Sequence, residues 1–258
     1  MKYIASVSWG KDSLCMLLLL IEKGWSLDEV VFYDTGMEFQ AIYDTRDKTL
    51  PLLAEKGILY TELHPKRPFL YDMLEKPVKG PNGIHNGYSW CGGMARWGTA
   101  CKQKVLDDNA KKHSDGYIQY IGIAHDETER IIKEKDPRKR LPLVEMGIPE
   151  GEALVYCYQR GYWWMEDDRP LYSILDRVSC WCCSNKNLKE LRGYYNYLPS
   201  YWDRLKDLQS KTERPMKGSG KSVFDLEVRF AAEAAARSKS MEVKAILPSS
   251  DVIGHCGE

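Results

Sequence analysis

Lys2-Tyr3-Ile4-Ala5-Ser6-Val7-Ser8-Trp9-Gly10-Lys11-Asp12-Ser13 opens the chain, and Leu14-Cys15-Met16-Leu17-Leu18-Leu19-Leu20-Ile21 follows at once. The first six of these residues form a short β-prone run. The next six are rich in hydroxyls, with one glycine and one cation. Leu14 to Lys23 then reads as a buried helix closed by Gly24. A strand, a small-residue loop and a helix in that order make an anion-binding corner. Gly10 lets the backbone approach an anion, and a helix starting near Asp12 aims unpaired N–H groups at it. Ser8 and Ser13 add hydroxyl donors, and Lys11 adds a cation. The spacing excludes both the four-residue gap of the Walker A loop and the dinucleotide G-x-G-x-x-G pattern.

Working outward, Val30–Tyr33 reads as a second strand ending at Asp34-Thr35-Gly36, and Glu38–Lys56 as a helix. Ile58–Leu63 is a third strand, Cys101–Lys112 a helix and Tyr117–Ile123 a fourth strand. Strands alternating with helices at this spacing predict parallel βαβ units. The expected fold is α/β: a Rossmann-like, doubly wound, mostly parallel sheet. Lys76–Thr99, rich in Gly, Pro and Asn, reads as loop. Beyond Pro142 the alternation stops. Glu150–Arg160, Asn187–Tyr195, Tyr201–Lys211 and Phe224–Arg237 read as helices, with Arg214–Lys221 as a basic linker. The expected organisation is therefore a nucleotide-type α/β domain over 1–140 and a mainly helical Cys/Trp-bearing region over 141–258.

Composition narrows the function. The 258 residues carry 37 Lys+Arg against 37 Asp+Glu, so no basic excess marks the chain as one that wraps duplex nucleic acid. Leu14–Ile21 is far too short for a membrane span, which favours a cytoplasmic protein with no membrane partner. Eight cysteines in such a reducing setting point to metal, cluster or redox chemistry more than to disulfides.

Three motifs carry a resemblance. Ser8-Trp9-Gly10-Lys11-Asp12-Ser13 resembles the S-G-G-x-D-S pyrophosphate (PP) loop of the adenine nucleotide α-hydrolase superfamily. Asp34-Thr35-Gly36 with Glu38-Phe39 is similar to a segment of the phosphoadenosine phosphosulfate (PAPS) reductase family. Gly122-Ile123 through Asp126-Glu127-Thr128 and Arg130 resembles that family's G-(I/V)-R-x-x-E-S-x-x-R segment. The resemblance implies an adenine nucleotide bound by Ser8, Trp9, Gly10, Lys11, Asp12, Ser13, Asp34, Thr35, Gly36 and Gly122, with Lys11, Asp12 and Arg130 in catalysis. Trp9 stands where most members are small, which implies different packing against the sugar or phosphate. Ala124-His125 replaces the family's usual Arg, which removes an anion contact.

Cys180-Trp181-Cys182-Cys183 holds a C-x-x-C pair able to grip one tetrahedral ion from a tight turn. A second pair must come from elsewhere. Cys91, in Trp90-Cys91-Gly92-Gly93, and Cys157 are the leading candidates, with Cys182 as the alternative to Cys157. The expected site is thus Cys91, Cys157, Cys180 and Cys183 around Zn²⁺ or a [4Fe–4S] cluster; the competing reading is a set of reduced core cysteines. PAPS-reductase-like proteins of phages and anaerobes look similar in the stretches Trp90–Gly93, Arg96–Thr99 and Cys180–Cys183. Cys101 and Cys15 read as buried apolar residues.

Weaker signals are His125 as a base, Arg130, Arg138, Lys139 and Arg140 as an anion patch, and Tyr162, Trp163 and Trp164 as a stacking surface. Each also has a plain structural reading. The expected function is cleavage of ATP, with Mg²⁺, to AMP and pyrophosphate. That would adenylylate an acceptor, a small molecule or a nucleic-acid base, for sulfur or nitrogen transfer. The alternatives are a thiol-dependent PAPS/APS reductase using Cys256 and a non-catalytic nucleotide-sensing module. A homodimer stays open.

Overall fold

The computed structural model describes residues 1–246 apart from 82, 93–96 and 179, and omits the side chains of 99, 100 and 238–246. Five strands make one parallel sheet: β1 (Lys2–Ser6), β2 (Glu29–Tyr33), β3 (Leu59–Leu63), β6 (Tyr117–Ile121) and β7 (Lys139–Arg140), in spatial order β3-β2-β1-β6-β7. Between them run α1 (Lys11–Glu22), α2 (Gln40–Glu55), α3 (Trp97–Ala110) and α4 (Thr128–Lys133). This is the α/β, Rossmann-like arrangement the alternation predicts. Strand order reverses at β1, so the carboxyl ends of β1 and β6 flank the crevice where such sheets hold ligands.

Helix α1 explains how the crevice is built. Its residues from Leu14 to Leu20 are buried on every face, because α5 (Pro142–Glu145) and α6 (Glu150–Gln159) both pack against it. The start of the helix is pressed against the end of β6 at Gly122. A Cβ at Gly122 would stand 2.7 Å from Ser13 Cα and 2.9 Å from Ser13 N, so only glycine allows this approach.

Trp9 sits at φ +61°, in the left-handed region, at a cost of about 1–2 kcal/mol for an L residue. The indole is fully buried, its ring centroid 6.3 Å from Phe32 and 6.0 Å from Tyr60. Trp164 Nε1–H donates to the Trp9 carbonyl at 2.7 Å. Burying an indole contributes more than the strain removes. The side chain thus packs in the core, whereas the sequence reading expects it against the sugar or phosphate.

The segments after β7 complete the same unit. They are α5 (Pro142–Glu145), α6, the short hairpin β8 (Met165–Glu166) and β9 (Arg169–Pro170), and α7 (Leu188–Tyr197). The chain divides into compact units at Tyr201, within α8 (Pro199–Ser210), and no break falls at 140. The physical reason is that α6, Trp164 and Tyr172 all grip the first loop. In the second unit, Trp202, Leu205, Leu208, Leu226 and Phe230 are buried, and Glu227 accepts from Trp202 Nε1–H at 3.2 Å and pairs with Lys206 at 3.0 Å. That joins the end of α8 to α9 (Val223–Ile246). A small antiparallel hairpin, β4 (Pro77–Gly80) and β5 (Gly83–Asn86), occupies part of the stretch expected as loop.

Gly122→Ala should cost about 1–3 kcal/mol, the usual penalty for forcing an extra methyl into packed backbone. Chemical denaturation checks this. A Gly122→Ala protein as stable as the parent would mean that β6 and α1 do not touch as described.

Candidate functional site: a phosphate-binding loop and a thiol cluster

Lys11 is the centre of the first site. Its side chain is almost wholly buried, and its ammonium donates to Asp12 Oδ1 at 2.7 Å and Glu150 Oε2 at 3.0 Å. Its backbone N–H donates to Tyr172 Oη at 2.8 Å, and its carbonyl accepts from Cys157 Sγ at 3.4 Å. Ser13 Oγ accepts the Ser8 N–H at 3.1 Å and donates to the Gly10 carbonyl at 3.1 Å, which knits the loop before any ligand arrives. Burial raises the Asp12 pKa above the usual carboxylate value, and Lys11 pulls the other way.

The loop opens on a cavity of about 670 Å³. Ser8, Gly10, Lys11, Asp12, Ser13, Gly122 and Arg130 line it, so most of the residues expected from sequence come together. Asp34, Thr35 and Gly36 do not line it. Asp34 Oδ1 instead accepts the Gly36 N–H and the Tyr43 hydroxyl, each at 2.7 Å, and Thr35 faces the thiols described below. Glu127 organises the far wall. It accepts two bonds from Arg130 at 2.7 Å, one from Arg177 at 3.2 Å and the Ala124 N–H at 3.2 Å. Burial alone would raise the Glu127 pKa, but the two guanidiniums hold it below the usual glutamate value. Glu127, Glu150, Tyr172 and Arg177 were not singled out for these roles from sequence. Glu127 falls within the motif quoted from the sequence but without a role; Glu150, Tyr172 and Arg177 come from separate stretches of chain, with no local pattern to mark them.

The cavity wall carries four cations, Lys11, Arg130, Lys133 and Arg177, against five carboxylates, Asp12, Glu127, Glu129, Glu150 and Asp176. A bare polyanion would meet net repulsion there, whereas a polyphosphate carrying a divalent cation would not. Asp12 and Glu150 are hard oxygen donors suited to Mg²⁺.

The second cluster lies where residues 180–186 fold against Met37, Glu38 and Cys91. Trp181 N–H donates to Met37 O at 2.9 Å, and the Ser184 N–H and Oγ both reach Cys91 O, at 3.1 and 3.2 Å. A Cβ at Gly92 would fall 2.2 Å from Ser184 Oγ, so glycine is required for this closure as well. Cys180 Sγ lies 3.7 Å from both Thr35 Oγ1 and Glu38 Oε1. Burial first, then the neighbouring acidic groups, raises the thiol pKa of Cys180 and Cys182; Cys91, Cys180 and Cys183 all act on Cys182.

The thiols gathered here are Cys91, Cys180, Cys182 and Cys183, and together they are the candidate donor set. Cys157 is not part of it: that thiol is buried on α6 against Cys15 and the Lys11 carbonyl. It belongs to α6's packing face on α1. Cys101, expected in the core, is exposed on α3.

Four soft donors fit zinc or iron–sulfur chemistry, and the surroundings fit a charged centre. Lys186 is 4% exposed, its ammonium 5.5 Å from the Phe39 ring centroid and 5.7 Å from that of Tyr194. Burial lowers its pKa, while Cys183, Glu190 and the other thiols favour the cation. Among the described residues, no three of these thiols lie within 4.8 Å of one another; the one such triple is Asp34, Glu62 and His64. A zinc tetrathiolate needs sulfurs about 3.8 Å apart, from tetrahedral geometry at Zn–S near 2.3 Å. An iron–sulfur cluster holds its thiolates further apart around a larger inorganic core, and four cysteine donors serve either centre.

The weaker candidates keep their structural readings. His125 is exposed. Arg138 pairs with Asp136, Lys139 with Asp107 and Glu134, and Arg140 with Glu145. Trp164 and Tyr162 are buried, and the half-exposed Trp163 stacks on Tyr158 at 4.3 Å. Gly93, Arg96 and Cys256 lie outside the described residues. No helix among the described residues is long and apolar enough to cross a membrane.

Residues 2–63, the span from β1 through β3, match the family model of the phosphoadenosine phosphosulfate reductase domain. The comparison with curated proteins gives no match. Among solved structures, the chain is similar to the U34-tRNA thiolase NcsA from Methanococcus maripaludis, determined with its [4Fe-4S] cluster. The identity is 17%, over 90% of this chain and 71% of that one, with a TM-score of 0.44. A likeness at that level carries no argument about function.

Protein prepared without oxygen should carry about one tetrathiolate centre per chain, brown with charge-transfer absorption if iron–sulfur and colourless if zinc, and Cys180→Ser with Cys183→Ser should remove it. Cys157→Ser should leave the metal content unchanged. Metal lost in the Cys157 variant and kept in the double variant would return Cys157 to the donor set.

Proposed function

We propose that the chain binds ATP with Mg²⁺ at the Ser8–Ser13 loop and transfers the adenylyl group to an acceptor. The observation that carries this reading is the state of Lys11. A buried ammonium at a helix start, held by two carboxylates on the wall of a cavity, is prepared to exchange those partners for phosphate oxygens. Both carboxylates are then released toward the metal that accompanies the nucleotide.

The chemistry follows from positioning and charge. An acceptor oxygen attacks the α-phosphorus, the bond from that phosphorus to the β-bridging oxygen breaks, and pyrophosphate leaves. A sulfur or nitrogen nucleophile then displaces AMP from the adenylylated acceptor. Lys11 and the Asp12 and Ser13 backbone at the start of α1 would take the developing charge on pyrophosphate. Arg130, held in place by Glu127, faces the same cavity and would steady the α-phosphate. Asp12 and Glu150 would hold Mg²⁺, which would supply charge neutralisation to the triphosphate. An iron–sulfur cluster on Cys91, Cys180, Cys182 and Cys183 would supply sulfur or redox chemistry, with Lys186 balancing its negative charge.

The PAPS reductase reading, in which a thiol attacks the sulfur of an adenylyl-sulfate, has the family match over residues 2–63 in its favour. The Lys11–Asp12 pair favours a metal-bound triphosphate instead.

Mg-ATP should raise the melting temperature of the parent protein, and Lys11→Ala with Ser13→Ala should abolish that shift. A ligand at a hundred times its Kd adds about 2.7 kcal/mol of stability, so the shift is readily measured. An unchanged shift in the double variant would remove the loop from the binding site.

A further inference from the structure

A second cavity, of about 400 Å³, opens beside α3 and the segment that follows β3. It is separate from the loop cavity, and the two share no lining residue. Its volume falls within the range of small-molecule sites, roughly 300–1,000 Å³. Its wall combines aromatic rings with positive charge. Phe69 and Trp97 lie 4.6 Å apart by ring centroid, and Tyr88 stacks on the outer side of Trp97 at 5.8 Å. Lys66, Arg67, Lys76 and Lys104 stand against only Asp72 and Asp108. Lys66, Arg67 and Lys104 are exposed, and Lys66 and Lys104 form no ion pair among the described residues. A positive surplus at this spot, in a chain of zero net charge, has the opposite balance to the loop cavity.

Two further observations point to a ligand. Trp97 Nε1, a buried donor on this wall, has no hydrogen-bond partner among the described residues, and a buried donor left unpaired is unfavourable. Asp72 Oδ1 on the same wall is taken by Lys76 at 3.5 Å. A planar ligand bearing an acceptor would satisfy the indole N–H. The cavity also adjoins the thiol cluster. Gly98, on its wall, has Cys91 Sγ 3.2 Å from the position its Cβ would take, and Thr35, on the same wall, touches Cys180 at 3.7 Å. Asn185, at the other end of the Cys180–Asn185 segment, lines the loop cavity. The thiol-bearing segment thus has one end at each cavity.

We infer that this second cavity is the acceptor site and takes a nucleotide, its base held among Phe69 and Trp97 and its phosphate by Lys66, Arg67 and Lys104. The inference rests on the adenylyl-transfer reading for its chemical purpose, but the binding site stands on its own geometry. The nucleotide could arrive free or as one residue of a single-stranded RNA; base-on-aromatic stacking with a basic backbone track serves both.

The exposed Cys101 thiol on the cavity wall provides the readout. The full chain, kept reduced, is treated with iodoacetamide, and alkylation of Cys101 is followed by peptide mass mapping. The probes are uridine monophosphate, a fluorescein-labelled twelve-nucleotide single-stranded RNA and inorganic phosphate, each with and without Mg-ATP. The expected result is that the nucleotide or the RNA slows Cys101 alkylation several-fold. Protection by the mononucleotide identifies a free nucleotide as sufficient, and protection by RNA alone identifies the polymer. Lys66→Glu with Lys104→Glu, both exposed changes, should weaken RNA or nucleotide binding tenfold or more and leave the Mg-ATP melting shift intact. Trp97→Ala should weaken it about tenfold. Lys11→Ala with Ser13→Ala should lose the Mg-ATP shift and keep Cys101 protection, so failure of the loop assignment and failure of this one give different patterns. Protection by inorganic phosphate equal to that by nucleotide, or no protection by any probe, would overturn the inference. So would loss of Mg-ATP binding in the Lys66/Lys104 variant, which would make the cavity part of the ATP site.

Discussion

A buried ammonium has to be paired, and the fold around the first loop is arranged by that requirement at Lys11. The ammonium reaches Asp12 beside it and Glu150 at the start of α6, while the residue's backbone N–H and carbonyl reach Tyr172 beyond the β8–β9 hairpin and Cys157 within α6. Each comes from a segment distant in sequence except Asp12. Together with Trp164 on the Trp9 carbonyl, they fasten residues 150–172 to a loop laid down by residues 8–13. Breaking one partner of such a buried set is far more costly than breaking a surface pair, because the remaining charge is left without solvent.

That constraint explains why the organisation read from sequence ends too early. The alternation of strands and helices stops near residue 140, and hydrophobic period alone marks a boundary there. The packing continues to Tyr201, because α6 covers α1 and single side chains from later segments close on the loop. Such contacts have no period and no motif. The parallel sheet and the start of α1 were legible because they depend on repeating patterns and on a short loop of distinctive composition. Gly122 was legible only as part of a resemblance; its physical reason, a backbone approach that excludes a Cβ, appears once β6 and α1 are placed together.

The thiols teach a similar lesson. Spacing identified Cys180 and Cys183, and a glycine-rich loop identified Cys91, but nothing in the pattern separated Cys182 from Cys157. Burial does. Cys157 occupies the packing face of α6 toward α1, whereas Cys182 shares its surroundings with three other thiols and the enclosed Lys186. Trp9 is comparable: its position in the loop suggests a ligand contact, yet its left-handed backbone directs the indole into the core. The residues that complete both sites, among them Glu150 and Lys186, carry ordinary local sequence and acquire their roles through tertiary placement.

The central claim is that Lys11 exchanges carboxylates for phosphate. A crystal structure of the protein soaked with Mg²⁺ and α,β-methylene ATP, which cannot be cleaved between its α and β phosphorus atoms, tests it directly. The account predicts a polyphosphate at the start of α1, with Lys11 Nζ within hydrogen-bond distance of its oxygens and the 3.0 Å contact to Glu150 broken. A nucleotide bound elsewhere, with Lys11 still held by Asp12 and Glu150, would contradict it.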